Sequence, residues 1–83
     1  MARPCEENGK RNLVSTNLIQ LRKTKNWSQR DLANQLQLYG IDMDKNVITR
    51  IETNKRYVTD IEIKALSRVF DVSYNFLLDG KEQ

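Results

Sequence analysis

The sequence predicts an all-α domain of five short helices around one core. Three observations carry this expectation. Apolar residues recur at helical spacing, no segment alternates convincingly with period two over strand length, and four of the five helical segments begin behind Ser, Asp or Thr at an N-cap position. At 83 residues the chain is one small domain with a modest core, so each apolar position in it matters. Residues 1–11 are polar, with Pro4 and Gly9, and read as a flexible N-terminal arm. The folded domain is expected over residues 12–80, with a frayed end at 81–83.

The first helix is expected from about Asn12 to Lys25, with Val14, Leu18 and Leu21 inward. Asn26 and Trp27 connect it to the second, Trp27 reading as a plug in the core. Ser28 caps the second helix, Asp31 suits the positive end of its dipole, and Leu32, Ala33 and Leu36 are its buried face. Gly40 ends this region by taking a left-handed conformation. Asp44 is preferred over Asp42 as cap of the third helix. That choice turns Ile48, Ile51 and part of Val47 inward and leaves Lys45, Asn46, Thr49 and Arg50 outside. Asn54-Lys55-Arg56-Tyr57 is a basic loop. Thr59 and Glu62 form a capping box opening a fourth helix that buries Ile63, Leu66 and Phe70. Asp71-Val72 turns the chain, and Ser73 caps a short fifth helix carrying Phe76, Leu77 and Leu78.

Charge and composition exclude more than they assert. The net charge is +3, and it is unevenly placed: residues 1–40 carry seven basic and three acidic side chains, residues 41–83 seven and eight. Between Lys45 and Arg56 four basic residues face a single acid, Glu52. The pI near 9.2 lies in the range of nucleic-acid-binding domains. Cys5 is the lone cysteine and there is no His, so neither an internal disulfide nor a structural zinc site is expected. No apolar run approaches the roughly 20 residues that span a bilayer, and the N-terminus lacks a signal peptide's apolar stretch. A soluble, cytoplasmic protein without cofactor, metal or membrane partner is the expectation. With no His for acid–base work, no nucleophile signature and no Gly-rich phosphate loop, an enzyme is not expected either.

Leu21-Arg22-Lys23, then Trp27-Ser28-Gln29 with Leu32-Ala33, then Ile48-Thr49-Arg50-Ile51-Glu52 stand in a telling order. Asn54-Lys55-Arg56, Phe70-Asp71-Val72-Ser73 and Phe76-Leu77-Leu78 follow. In this order and nearly this spacing the chain resembles the phage repressor/Cro-type (XRE) helix-turn-helix family over roughly residues 13–80. The resemblance implies a compact five-helix, lambda-repressor-like DNA-binding domain of bacterial or phage origin. Its partner would be double-stranded DNA, bound as a homodimer, with no small molecule implied. The function implied is a sequence-specific transcriptional regulator, a small dimeric repressor reading a pseudo-palindromic operator. A chain of this length leaves no room for a separate effector domain, which suits repression by occlusion. The alternative is an antitoxin or protein-interaction module that keeps the same fold. The polar residues at positions 45, 46, 49 and 50 favour DNA over that alternative.

A helix in the major groove reads base edges from near its N-terminus, which makes Lys45, Asn46, Thr49 and Arg50 the base-reading candidates. Asn can pair bidentately with adenine, and Arg or Lys with guanine. The resemblance implies phosphate contacts for Ser28 and Gln29 at the second helix's N-terminus, where backbone N–H groups attract anions. Asn54, Lys55 and Arg56 would grip the backbone without reading sequence. By the same resemblance Arg22 and Glu52 pair across the first and third helices and aim the Arg22 guanidinium at phosphate. The dimer surface implied is Tyr57, Val58, Tyr74 and Leu78. One departure stands out. Fifteen positions separate Ala33 from Ile48, more than the family's tight turn needs, and Leu38-Tyr39-Gly40-Ile41-Asp42 reads as an insert. Asp71 also stands where the family places Gly, at modest cost, since Asp tolerates the left-handed region.

Overall fold

A computed structural model describes residues 10–81. Most of the arm (residues 1–9), with Cys5, and the last two residues of the expected frayed end lie outside the described residues. The described residues hold five α-helices: α1 (Ser15–Thr24), α2 (Gln29–Leu38), α3 (Lys45–Glu52), α4 (Asp60–Phe70) and α5 (Tyr74–Asp79). No described helix is long and apolar enough to cross a membrane. No described cluster of His, Cys, Asp and Glu could hold a metal ion.

The N-caps are where local chemistry places them. The side chains of Ser28, Asp44, Thr59 and Ser73 each accept from the backbone N–H three residues on. At α2 and α4 the bond is returned: Asp31 and Glu62 accept from the backbone N–H of Ser28 and Thr59, closing two capping boxes. These bonds hold the Asp31 carboxyl below the ordinary carboxylate range, the Ser28 backbone N–H contributing most.

α1 is the exception, and it starts later than its spacing suggests. Its cap residue, Val14, has no side-chain bond to give. Asn12, expected as the first turn of the helix, stands outside it and does the capping from there. Its Oδ1 accepts from the N–H of Val14 and Ser15, at 3.2 and 3.0 Å. Its Nδ2 donates to the carbonyls of Ile51 and Arg56, at 3.1 and 2.9 Å. One buried amide thus starts α1 and ties that start to the end of α3.

Four helices end alike. After α1, α2, α3 and α4 comes one left-handed residue: Asn26, Gly40, Asn54 and Asp71. In each case its N–H donates to the carbonyl three residues back, and the next residue's N–H donates five back. Gly40, with φ at +80°, meets no steric cost in this role. The expected insert between α2 and α3 is resolved by this turn: α2 stops at Leu38, and residues 39–44 form a looped connection. Met43, within that loop, is buried in the core, which apolar periodicity did not anticipate.

Val14, Leu18, Leu32, Leu36, Ile48, Ile51, Leu66 and Leu77 are sealed from solvent, and Phe70 and Met43 are nearly so. Truncating one of the sealed leucines to Ala would cost about 2–5 kcal/mol. Trp27 is half-buried: its ring lies 5.4 Å from that of Phe70, centre to centre, with Lys25 above it. It therefore closes the core's edge and does not sit inside it. Leu78 faces solvent, unlike its neighbour Leu77.

Candidate nucleic-acid interface

α3 has one buried face and one open face, and its sequence decides which is which. Ile48, Ile51 and Glu52 are buried, so the residues on the opposite side are presented outward. Lys45, Asn46 and Arg50 are exposed, while Thr49 is half-buried on the edge next to α2. Thr53 shares the open face but was missed in the sequence, where it follows the helix. Its hydroxyl is turned back onto the Thr49 carbonyl at 2.8 Å.

The buried acid on α3 is explained by Arg22. The Arg22 Nε donates to Glu52 Oε2 at 2.8 Å and Nη2 to Oε1 at 3.1 Å, a bidentate pair between α1 and α3. Its Nη1 donates to the Trp27 carbonyl at 2.9 Å. Three of the five N–H groups of a guanidinium are thus engaged within the protein. Gln29, at the first position of α2, joins this group. Its Nε2 donates to Glu52 Oε1 at 2.9 Å, and its Oε1 accepts from the Thr49 hydroxyl at 2.8 Å. α1, α2 and α3 therefore meet in one polar cluster directly beneath the open face.

Beside that cluster lies a shallow groove lined by Arg22, Ser28, Gln29, Arg30 and Lys45. Its lining holds three cations and no carboxylate, which attracts an anion. Arg30 was not among the sequence candidates; only the fold brings it next to Arg22 and Lys45. The α2 terminus itself is less open than its position suggested, because the capping box already uses the N–H groups of Ser28 and Asp31.

The loop after α3 is divided in its roles. Asn54 turns inward: its Oδ1 accepts from the N–H of Arg11 and Asn12, and its Nδ2 donates to the Ser15 hydroxyl. Lys55 is exposed. Arg56 makes a bidentate pair with Glu62, at 2.9 and 3.0 Å. Burial alone would raise the Glu62 pKa, but the Arg56 hydrogen bond, the Thr59 bonds and the Arg56 charge together hold it below the usual glutamate value. The same hydrogen bond, donated to Glu62, raises Arg56 further. Arg11 reaches this loop too, donating from Nη1 to the Lys55 carbonyl and lying over the Tyr57 ring. The last residue of the expected arm, Arg11, is thus held against the loop.

On another part of the surface, Tyr57, Tyr74 and Leu78 are exposed and Val58 is half-buried. Tyr74 and Leu78 line an apolar groove with Asp60, Ile61, Ile63 and Lys64. Ile61, at 67% exposure, is the most open apolar side chain of that groove and was missed, because helical spacing alone does not tell a covered residue from a bare one.

Comparison with known proteins follows the same outline. No curated protein matches the chain significantly. Among solved structures, that of a hypothetical transcription factor, NHTF, from Neisseria superposes with a TM-score of 0.70. It is 24% identical, and the match covers 94% of this chain and 84% of the other, which shows a shared fold. A family model described as helix-turn-helix matches residues 18–77, spanning all but the first turn of α1 and the end of α5. The chain belongs to the XRE-type helix-turn-helix family of DNA-binding domains.

Proposed function

We propose that the protein is a sequence-specific transcriptional regulator, a small cytoplasmic repressor that binds a pseudo-palindromic operator as a dimer. The observation that carries this reading is the open face of α3, where Lys45, Asn46 and Arg50 are exposed with Thr49 at their edge. These residue types suit base edges in the major groove, and none of them is acidic or apolar. Arg22, Arg30 and Lys45, which line one groove, support a phosphate site at the start of α2 shared with Ser28 and Gln29. Lys55 supports a second phosphate contact on the loop after α3. Arg56 would add charge there from its pair with Glu62, and Asn54 would act by shaping the loop.

The exposed groove lined by Tyr74 and Leu78 supports a dimer contact away from the reading helix, a contact to which we assign Tyr57 and Val58 as well. The Neisseria neighbour's description as a hypothetical transcription factor agrees with a regulatory role. Selection from a random duplex pool at about physiological salt tests the reading. An inverted repeat with half-site centres about one helical turn apart is the expected result. Binding that enriches no motif and vanishes with modest added salt would leave only phosphate attraction, and the proposal would fall.

A further inference from the structure

The polar cluster under α3 fixes which atoms give and which accept a proton, and that assignment reaches the reading face. Glu52, paired with Arg22 through both oxygens, is a carboxylate and can only accept. The Gln29 atom 2.9 Å from Glu52 Oε1 must therefore be its amide nitrogen. The other end of the Gln29 amide, 2.8 Å from the Thr49 hydroxyl, is then its carbonyl oxygen, which can only accept. Thr49 has one hydroxyl proton, and both of its neighbours are oxygens that can only accept it, Gln29 Oε1 being the nearer. The second neighbour of that hydroxyl is the Lys45 carbonyl at 3.0 Å, again an acceptor. Amide orientation is ordinarily an assignment, but here the chemistry of the partners leaves one choice.

We infer that Thr49 meets DNA as an acceptor only, because Gln29 and the Lys45 carbonyl hold its one proton within the protein. Threonine at a reading position is ordinarily ambiguous, since its hydroxyl can give a proton to a base or take one. With the proton held by Gln29 and the Lys45 carbonyl, Thr49 can accept from an exocyclic amino group, adenine N6 or cytosine N4. It cannot donate to purine N7, guanine O6 or thymine O4. The inference rests on the DNA-reading role proposed above and adds to it which atom of a base pair this residue recognises.

Both kinds of target occur in every base pair, so base preference alone does not separate them, whereas base analogues do. Selection with the wild type and with Thr49→Val first identifies the base pair whose preference depends on Thr49. At that pair, the amino-bearing base is replaced by its amino-less analogue (purine for adenine, pyrimidin-2-one for cytosine). Separately, the purine is replaced by its 7-deaza form. Wild-type affinity should fall about fivefold with the amino-less base, the worth of one hydrogen bond near 1 kcal/mol, and Thr49→Val should show no such loss from the same change. The 7-deaza change should cost the two proteins equally. In Gln29→Met the Lys45 carbonyl still takes the proton, so no Thr49-dependent sensitivity to the 7-deaza purine should emerge.

Thermal melts of Thr49→Val and Gln29→Met, with Gln29→Glu as a second variant at that position, establish that the proteins compared are folded. Thr49-dependent sensitivity to the 7-deaza base in the wild type would overturn the inference. Dependence only on a thymine methyl would overturn it too, as would a motif in which no position responds to Thr49. Each of these leaves DNA reading intact. A wild type that enriches no motif removes the reading role itself, so the two failures are distinguishable.

Discussion

The ends of α1 and α3 share a backbone geometry and differ in almost everything the side chains do with it. Each closes on a left-handed Asn, Asn26 or Asn54, with the same pair of returning hydrogen bonds. After α1 the next residue is Trp27, packed on Phe70; after α3 it is Lys55, exposed. The corresponding residue after α2 is Ile41 and after α4 is Val72, both packed against the core. An apolar residue is the usual occupant, because it covers the last turn of the helix it follows. One position in four breaks that rule, and it is the one next to the open face of α3. The departure from local rule thus singles out the end of α3, beside the face proposed to meet DNA.

The largest expected effect tests the α1 side. Arg22 and Arg50 occupy equivalent positions, each giving its carbonyl to the turn that follows. Arg22 also holds Glu52, whose side chain is only 4% exposed. Arg22→Ala strands that carboxylate and should cost about 3 kcal/mol of stability, together with DNA affinity. Arg50→Ala removes nothing buried and should stay within about 0.5 kcal/mol, while it alters binding to DNA. Urea denaturation of both variants decides the matter. Comparable losses would mean that the two helix ends are not different in kind.

Truncation of the residue after each turn comes next. Trp27→Ala removes a half-buried ring and its contact with Phe70, and a loss of about 2–3 kcal/mol is expected in the same experiment. The left-handed residues sharpen the contrast in smaller steps. Asn26 and Asn54 both resist replacement by Ala, which disfavours φ near +60° by about 1 kcal/mol. Asn54 additionally holds the backbone of Arg11 and Asn12, so Asn54→Ala should cost about 2 kcal/mol and Asn26→Ala about half of that. Equal costs would show that the tie from Asn54 to the segment before α1 adds nothing.

How much of this was legible in the sequence depends on the range of the interaction. Ser28, Asp44, Thr59 and Ser73 could be read as caps because each acts on an N–H three residues away. The αL role of Gly40 and Asp71 was equally local. Asn12 was misplaced into α1 because its partners, Ile51 and Arg56, are remote in the chain and leave no periodic trace. Met43 was missed for a related reason: it sits in a six-residue connection, where apolar spacing has no helix to follow. Resemblance to a family suggested that Arg22 and Glu52 belong together. Nothing in the residues said that Gln29 would link Glu52 to Thr49, or that Arg30 would line the groove beside them.

Acid should act on the α3 side, whose loop is held by polar ties where the other ends have apolar plugs. Glu62 has its folded pKa depressed, so its contribution is present above the ordinary glutamate pKa, near 4.3, and is lost as pH falls through the folded value. Asp31 shifts in the same direction and adds to the acid limb from α2. Arg56, raised from an already high value, stays charged throughout that window. Stability should therefore decline as pH drops below the glutamate range, and Glu62→Gln should flatten part of that decline. For a partly exposed pair the amount is about 1 kcal/mol at most, and added salt should diminish it. An acid limb identical in wild type and Glu62→Gln would remove this tie from the account.

Lys55 should give the smallest change in stability, and that is its diagnostic value. It is exposed and plugs nothing, so Lys55→Ala is expected within about 0.5 kcal/mol of the wild type, in contrast to Trp27→Ala. A bland reading is available: a lysine after a helix end complements the negative pole of the dipole and needs no ligand. DNA binding separates that reading from a phosphate contact. Neutralising a phosphate releases counterions, so Lys55→Ala should weaken binding to matched and scrambled duplexes alike and lower the salt slope by about 1. Lys64→Ala is the control, with the same charge removed from the groove around Tyr74 and Leu78. It should leave the slope as it was. Equal flattening by both would mean that only net charge matters and that the end of α3 has no special place in binding.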